Sequence, residues 1–443
     1  MDSTARLLIF LAGSLTLFLL KFLHKYWWIP FKIQRALSLQ GIKGPPYEFI
    51  HGNNKASTRF RYEALSKPMA SLTHNIVPRV IPQIHSWINT YGDDDLHNMN
   101  PAVIASVETM LEKWKGREGE EIEVFNEFRL LTSEVISRTA FGSNYLEGKK
   151  IFDMLTKLAI LVSRNYFKTP IPGISKIWKT ADEIESEKLA NGIHDCVMEM
   201  VKRREKKVET GEADGFGNDF LGLLINAYRD SDEKNRFSIE DLVDECKTFY
   251  FAGQETTNSL LAWTILVLAI HTKWQEKTRQ EVFEVFGDQN PNSEGIAKLK
   301  IMNMVVNETL RLYSPVAAVI RQIKKEVRLG KLVLPANLEI LIPIIALHHD
   351  PQLWGDDVHL FKPERFVEGI ASATKYNSAA FIPFSMGPRS CVGMSFATTE
   401  TKVALSMILQ RYAFTLSPTY VHAPFPVITL QPQHGIQVML HPL

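Results

Sequence analysis

One ten-residue stretch constrains this chain more than any other: Phe384-Ser385-Met386-Gly387-Pro388-Arg389-Ser390-Cys391-Val392-Gly393. Two glycines and a proline crowd a cysteine, which predicts a tight, irregular loop. A helix-like stretch, Ser395 to Leu409, follows at once. A cysteine placed just before a helix meets the positive end of the helix dipole and unpaired backbone N–H groups, and both favour a thiolate. A structural cysteine beside a turn would explain an isolated Cys-x-Gly but not the whole pattern.

Composition narrows what that cysteine can be for. The 443 residues hold only three cysteines, Cys196, Cys246 and Cys391, an odd number at wide spacing. No disulfide framework or zinc cluster is indicated, and a reducing compartment is implied for the bulk of the chain. Apolar residues make up 45% and charged residues 22%, enough for a substantial core. With 50 Lys plus Arg against 49 Asp plus Glu, the charge gives no reason to expect nucleic acid as a partner.

The N-terminus differs from the rest. Leu7 to Leu20 carries no charge, and Phe22 and Leu23 extend it past Lys21. A spanning helix needs roughly 20 apolar residues, and Lys21 can snorkel to the interface to allow one. Tyr26, Trp27 and Trp28 follow as an interfacial belt would, and Lys21, Lys25, Lys32 and Arg35 place the C-terminal side in the cytosol. No small-residue cleavage site follows, which argues against a signal peptide. Residues 1–29 are thus expected to be a single-pass transmembrane anchor, with Gly44-Pro45-Pro46 as a stiff hinge to the body.

Beyond the hinge the pattern is mainly helical. Helical periodicity is predicted over 101–115 and 123–141, and a charged helix over 181–207, with a surface loop from Lys206 to Asn218. Ser238, with Asp241 three residues on, has the form of a helix cap. The stretch from Asp241 to Gly287 has no proline and becomes strongly apolar at Leu260 to Ile270, so a long, partly buried helix and then a second are expected. Val327 to Ile345 and residues 424–441 have the composition of short strands. The fold class is mainly α with small β-sheets.

Two further motifs precede the cysteine loop. Glu308-Thr309-Leu310-Arg311 puts an acid and a base on one helix face, where the plain expectation is a solvated surface pair. Ala252-Gly253-Gln254-Glu255-Thr256-Thr257 places a glycine inside the long helix, at about 1 kcal/mol relative to alanine. Close approach of a small ligand such as dioxygen would supply a reason, and Glu255 and Thr256 could relay protons to it. Thr256 could also bond back to a carbonyl and open the helix locally. At Cys391, a thiolate ligand would push electron density onto a haem iron and favour O–O cleavage. Gly387 and Gly393 would allow a porphyrin close to the backbone, and Arg389 could pair with a haem propionate.

Together these residues resemble the cytochrome P450 superfamily. Phe384–Gly393 matches its F-x-x-G-x-R-x-C-x-G signature, Glu308 and Arg311 its E-x-x-R pair, Pro363-Glu364-Arg365-Phe366 its P-E-R-F segment, and Ala252–Thr257 its A-G-x-E-T-T motif. Thr139-Ala140-Phe141-Gly142-Ser143 and His349-Asp350-Pro351-Gln352-Leu353-Trp354-Gly355 are similar to the plant clan numbered 72, which handles hormones, terpenoids and xenobiotics.

The resemblance implies a haem b monooxygenase on the endoplasmic reticulum membrane, with Cys391 as the iron ligand and Phe384 and Gly393 in the haem loop. It implies propionate contacts from Arg389 and Arg321, an oxygen-facing Ala252 and Gly253, and proton delivery by Thr256 and Glu255. Glu308, Arg311 and Arg365 would form a structural triad. Electrons would come from NADPH-cytochrome P450 reductase, since the chain has no Gly-rich nucleotide loop of its own.

One departure stands out. Family members carry a strand pair, a substrate-contacting loop and a W-x-x-x-R helix where this chain passes from Trp87-Ile88-Asn89-Thr90-Tyr91-Gly92 through Asp93-Asp94-Asp95 to Pro101. Trp114-Lys115-Gly116-Arg117 does not substitute, being wrong in spacing and order. Residues 30–443 are therefore expected to be a haem domain with an internal deletion near 92–100. Two other classes stay open. One is a truncated, inactive relative with weak or no haem binding. The other is a haem-thiolate isomerase or dehydratase, against which the Glu255-Thr256 pair argues.

Overall fold

A computed structural model describes residues 103–443 apart from 143–144, 166–178, 218 and 230–236, together with scattered positions between 13 and 32. The longer helices among the described residues are α1 (Val103–Trp114), α2 (Val124–Phe141), α3 (Tyr145–Asn165), α4 (Ala181–Glu209), α5 (Phe220–Tyr228), α6 (Ile239–Ile270), α7 (Thr272–Phe286), α8 (Lys300–Leu312) and α9 (Met394–Leu409). The strands are short: β1 (Glu121–Glu123), β2 (Val319–Gln322), β3 (Val327–Leu329), β4 (Leu332–Leu334), β5 (Glu339–Ile342), β6 (Tyr412–Leu416), β7 (Pro424–Pro426), β8 (Leu430–Pro432) and β9 (Gln437–Pro442). All pair antiparallel, as β1-β9-β6, β2-β5, β3-β4 and β7-β8. Mainly helical architecture with small sheets is what the sequence predicts.

The 32-residue α6 is the axis of the molecule. Ser238 caps it reciprocally: its hydroxyl accepts from the Asp241 N–H at 3.0 Å, while Asp241 accepts from the Ser238 N–H at 3.0 Å. Every side chain from Leu260 to Ala269 is buried, which explains why the sequence loses its polar face there. α2, α8 and α9 pack on α6, and most of its buried face joins the main core with Trp114, Phe128 and Phe414.

Several boundaries differ from expectation. α4 runs to Glu209, because Lys206, Lys207 and Glu209 are good helix formers and the chain turns only at Thr210 and Gly211. Strand structure ends at Ile342, where Pro343 starts a helical turn over Ile344–His348. Strands β1, β2 and β6 had no sequence signal, being three to five residues long.

The expected span at Leu7–Leu20 lies largely outside the described residues, as do Gly44-Pro45-Pro46 and the junction near 92–100. Among the described residues no helix is long and apolar enough to cross a membrane.

Candidate functional site

The cysteine loop is built by its own backbone. Ser385 and Gly387 sit at φ +64° and +72°, a region that suits glycine and is uncommon for serine. A short 3-10 turn over Gly387–Arg389 follows, and the Cys391 N–H then donates to the Phe384 carbonyl at 2.8 Å, closing the loop. Phe384 is half-buried against the main core, while Cys391 and Arg389 are exposed. Gly393 caps the start of α9. A Cβ built there would meet only the Cys391 sulfur, at 3.9 Å, so the space beside the thiol is open.

Two influences act on the Cys391 thiol in opposite directions. Partial burial pushes the thiol up from its ordinary value, and the opposing Gly393 N–H does not reverse this. A coordinated metal cation would favour the thiolate that the sequence leads one to expect.

Arg321, on β2, reaches the same loop. Its Nη2 donates to the Ser385 hydroxyl at 2.6 Å, joining residues 64 apart in sequence. The loop is also held from behind: the Ile382 N–H donates to Nε2 of the fully buried His348 at 2.9 Å. Burial and the nearby Arg311 charge depress His348 to about 3, so the ring stays neutral and able to accept.

The Glu308 pair is far from the solvated surface pair expected of it. Glu308 and Arg311 are fully buried, and Arg311 Nε and Nη2 each donate to Glu308 at 2.7 Å. Arg311 Nη1 also donates to the carbonyls of His348 at 3.0 Å and Val358 at 2.7 Å. Arg365 Nε lies 3.4 Å from Glu308, and its Nη2 donates to the Asp357 carboxylate at 2.7 Å. The triad is thus a buried clamp joining α8 to the segment that leads into the cysteine loop.

On α6, the Ala252, Gly253 and Thr256 face is exposed or half-buried. The Thr256 hydroxyl donates to the Ala252 carbonyl at 2.6 Å, yet the helix continues unbroken, so the expected local opening is not seen. Gly253 has a packing reason: a Cβ there would come within 2.5 Å of Ile136 Cδ1 on α2. Glu255 is 1% exposed and turned toward β8, accepting from Gln431 Nε2 at 2.7 Å. Burial raises its pKa, opposed by Arg129 and the Gln431 hydrogen bond. Glu255 and Thr256 are therefore not brought into contact with each other. Sequence reasoning missed Ser385, His348 and Gln431, whose contacts are long-range and carry no local signature.

These residues fit a haem: a soft sulfur donor with open space beside it, and two arginines, Arg321 and Arg389, at the same loop.

Comparison with known proteins agrees. The cytochrome P450 family matches residues 83–439. The chain is 50% identical over 515 residues to "Cytochrome P450 CYP749A22" of Panax ginseng, covering 100% of this chain and 98% of that one. It is 34% identical over 510 residues to "7-deoxyloganic acid hydroxylase" of Catharanthus roseus, covering 97% of each. Among solved structures, a retinoic acid-bound cyanobacterial CYP120A1 aligns with a TM-score of 0.66 at 26% identity, over 77% of this chain and 74% of that one.

Proposed function

The chain belongs to the cytochrome P450 family and is a haem-thiolate monooxygenase; from that premise we propose that Cys391 carries the iron and that the enzyme inserts one oxygen atom from O2 into a hydrophobic small molecule of the hormone, terpenoid or xenobiotic class. The observation that carries this reading is the closed loop around an accessible thiol, with Arg321 tied to it through Ser385. The haem, when bound, supplies oxygen activation. The protein supplies the rest. Arg321 and Arg389 would meet the propionates, and Phe384 and Gly393 would shape the loop beneath the ring. Ala252 and Gly253 would form the oxygen-facing wall.

Thr256 would hold and pass a proton there. Its own hydrogen is engaged by the Ala252 carbonyl, so its oxygen is left to accept one. Glu255, which burial keeps protonated to a higher pH than an ordinary carboxyl, would be the proton reserve on the Gln431 side of α6.

Electrons would arrive from NADPH through NADPH-cytochrome P450 reductase. Residues 1–29 would anchor the chain in the endoplasmic reticulum membrane, supported by the uncharged run Leu7–Leu20 and the lysines after it. The hydroxylase activity named for the Catharanthus relative supports a terpenoid-like substrate. The test is turnover with reductase, NADPH and heavy-isotope dioxygen against a panel of terpenoid acids. One labelled oxygen atom per product molecule is expected, and unlabelled or NADPH-independent product contradicts the reading.

A second reading is an inactive relative that binds haem weakly. The aligned length of 515 residues against the 443 of this chain supports a haem domain, 30–443, with an internal deletion near 92–100. Loss of a covering helix would expose apolar surface and cofactor edge. Stoichiometric haem in the purified protein would count against it.

A further inference from the structure

Behind the cysteine loop lies a cavity of about 380 Å³ framed by two helices. Asn303 and Asn307 stand four residues apart on α8, and Thr398 and Lys402 four apart on α9, so each pair shares one helix face and both faces line the cavity. Phe384 of the cysteine loop and Ile370, in a short helix over Gly369–Ala373, give it apolar walls.

The polar groups have bonding capacity left. Asn307 is only 9% exposed, yet among the described residues neither asparagine amide nor the Lys402 ammonium has a hydrogen-bond or ion-pair partner. The Thr398 hydroxyl donates to the Met394 carbonyl at 2.8 Å, leaving its oxygen able to accept. The acid whose charge Lys402 feels is Glu281, and that carboxylate already accepts from the N–H groups of Ile301 and Met302 at 2.7 and 2.8 Å. The Asn307 amide and the Lys402 ammonium thus face the cavity with hydrogen-bonding capacity that a polar ligand can take up.

We propose that this cavity binds a small amphipathic monocarboxylate, its carboxylate on Lys402 and the Asn303/Asn307 amides and its apolar body against Phe384 and Ile370. One cation among neutral amides suits a single negative charge better than a phosphate dianion, and the apolar walls call for a hydrocarbon body. A ligand there would touch the loop that carries Cys391, since the Phe384 carbonyl receives the Cys391 N–H.

The test is lysine acetylation of the full chain, read by mass spectrometry residue by residue, with decanoate as probe and 1-decanol as its uncharged control. Saturating decanoate should slow acetylation of Lys402 by about tenfold, with the exposed Lys375 unchanged and no protection by decanol. Calorimetry should show Lys402→Met weakening decanoate binding by about tenfold or more. The labelling is local, so decanoate bound elsewhere on the protein does not mimic it, and the wild-type result decides even where Lys402→Met fails to fold. Equal Lys402 labelling with and without decanoate overturns the proposal. So does equal protection by decanol, or a Lys402→Met variant that binds decanoate as the wild type does.

Discussion

The Glu308–Arg311 pair and the middle of α6 are both buried and polar, yet they handle their polar groups in opposite ways. In the pair, Arg311 is fully buried and bonds to Glu308 and to two backbone carbonyls. On α6, the Thr257 hydroxyl and both side-chain amide atoms of Asn258 are buried with no partner among the described residues. A region whose donors and acceptors are met within the chain is stabilising architecture. A region that leaves them unmet keeps hydrogen-bonding capacity that water or a ligand can use. The pair fixes the cysteine side of the molecule; the exposed or half-buried face of α6 at Ala252, Gly253 and Thr256 is the one proposed for chemistry.

If that contrast is right, mutations should separate along it. The largest loss of stability belongs to Arg311→Ala, which strands Glu308 in the core and should cost about 3–5 kcal/mol by chemical denaturation. A loss below 1 kcal/mol would mean that the clamp is not what holds this side together. Gly253→Ala comes next, at about 1–3 kcal/mol, because its Cβ meets Ile136. The same change in an Ile136→Ala background should cost less, and an undiminished cost would return the glycine to a ligand-approach role alone.

The two regions should also respond to pH in opposite directions. Hydrogen bonds from Lys362 and Arg365 depress Asp357 from 3.8 to about 2 in the folded state, so its contribution is present above pH 3.8 and is lost as pH falls from there toward 2. Burial raises Glu255 above 4.5, so its protonated form is the one the fold favours, and stability declines as pH climbs from 4.5 toward the folded value. Urea midpoints across pH should therefore flatten on the acid side in Asp357→Asn and on the alkaline side in Glu255→Gln. The smallest effect on stability is expected for Thr256→Val, within about 1 kcal/mol. Its signature is functional: less product per NADPH consumed.

The parts of this arrangement that lie close together in the chain were legible in the sequence. The cysteine loop, the Ser238 cap and the apolar end of α6 each fit within a window where glycine, proline and helical period speak directly. The Glu308–Arg311 spacing was visible too, but its burial was not, since that depends on carbonyls 37 and 47 residues from Arg311. Arg321 reaching Ser385, His348 accepting from Ile382 and Glu255 turning to Gln431 are products of tertiary packing.

The central claim is that Cys391 is the sulfur ligand of a bound haem. Its most direct test is the carbon monoxide difference spectrum of the reduced, haem-supplied protein, with Cys391→Ser alongside. The wild type should show the long-wavelength band of a thiolate-ligated haem, and the variant should lose it. A wild type without that band, or a variant that keeps it, would contradict the account.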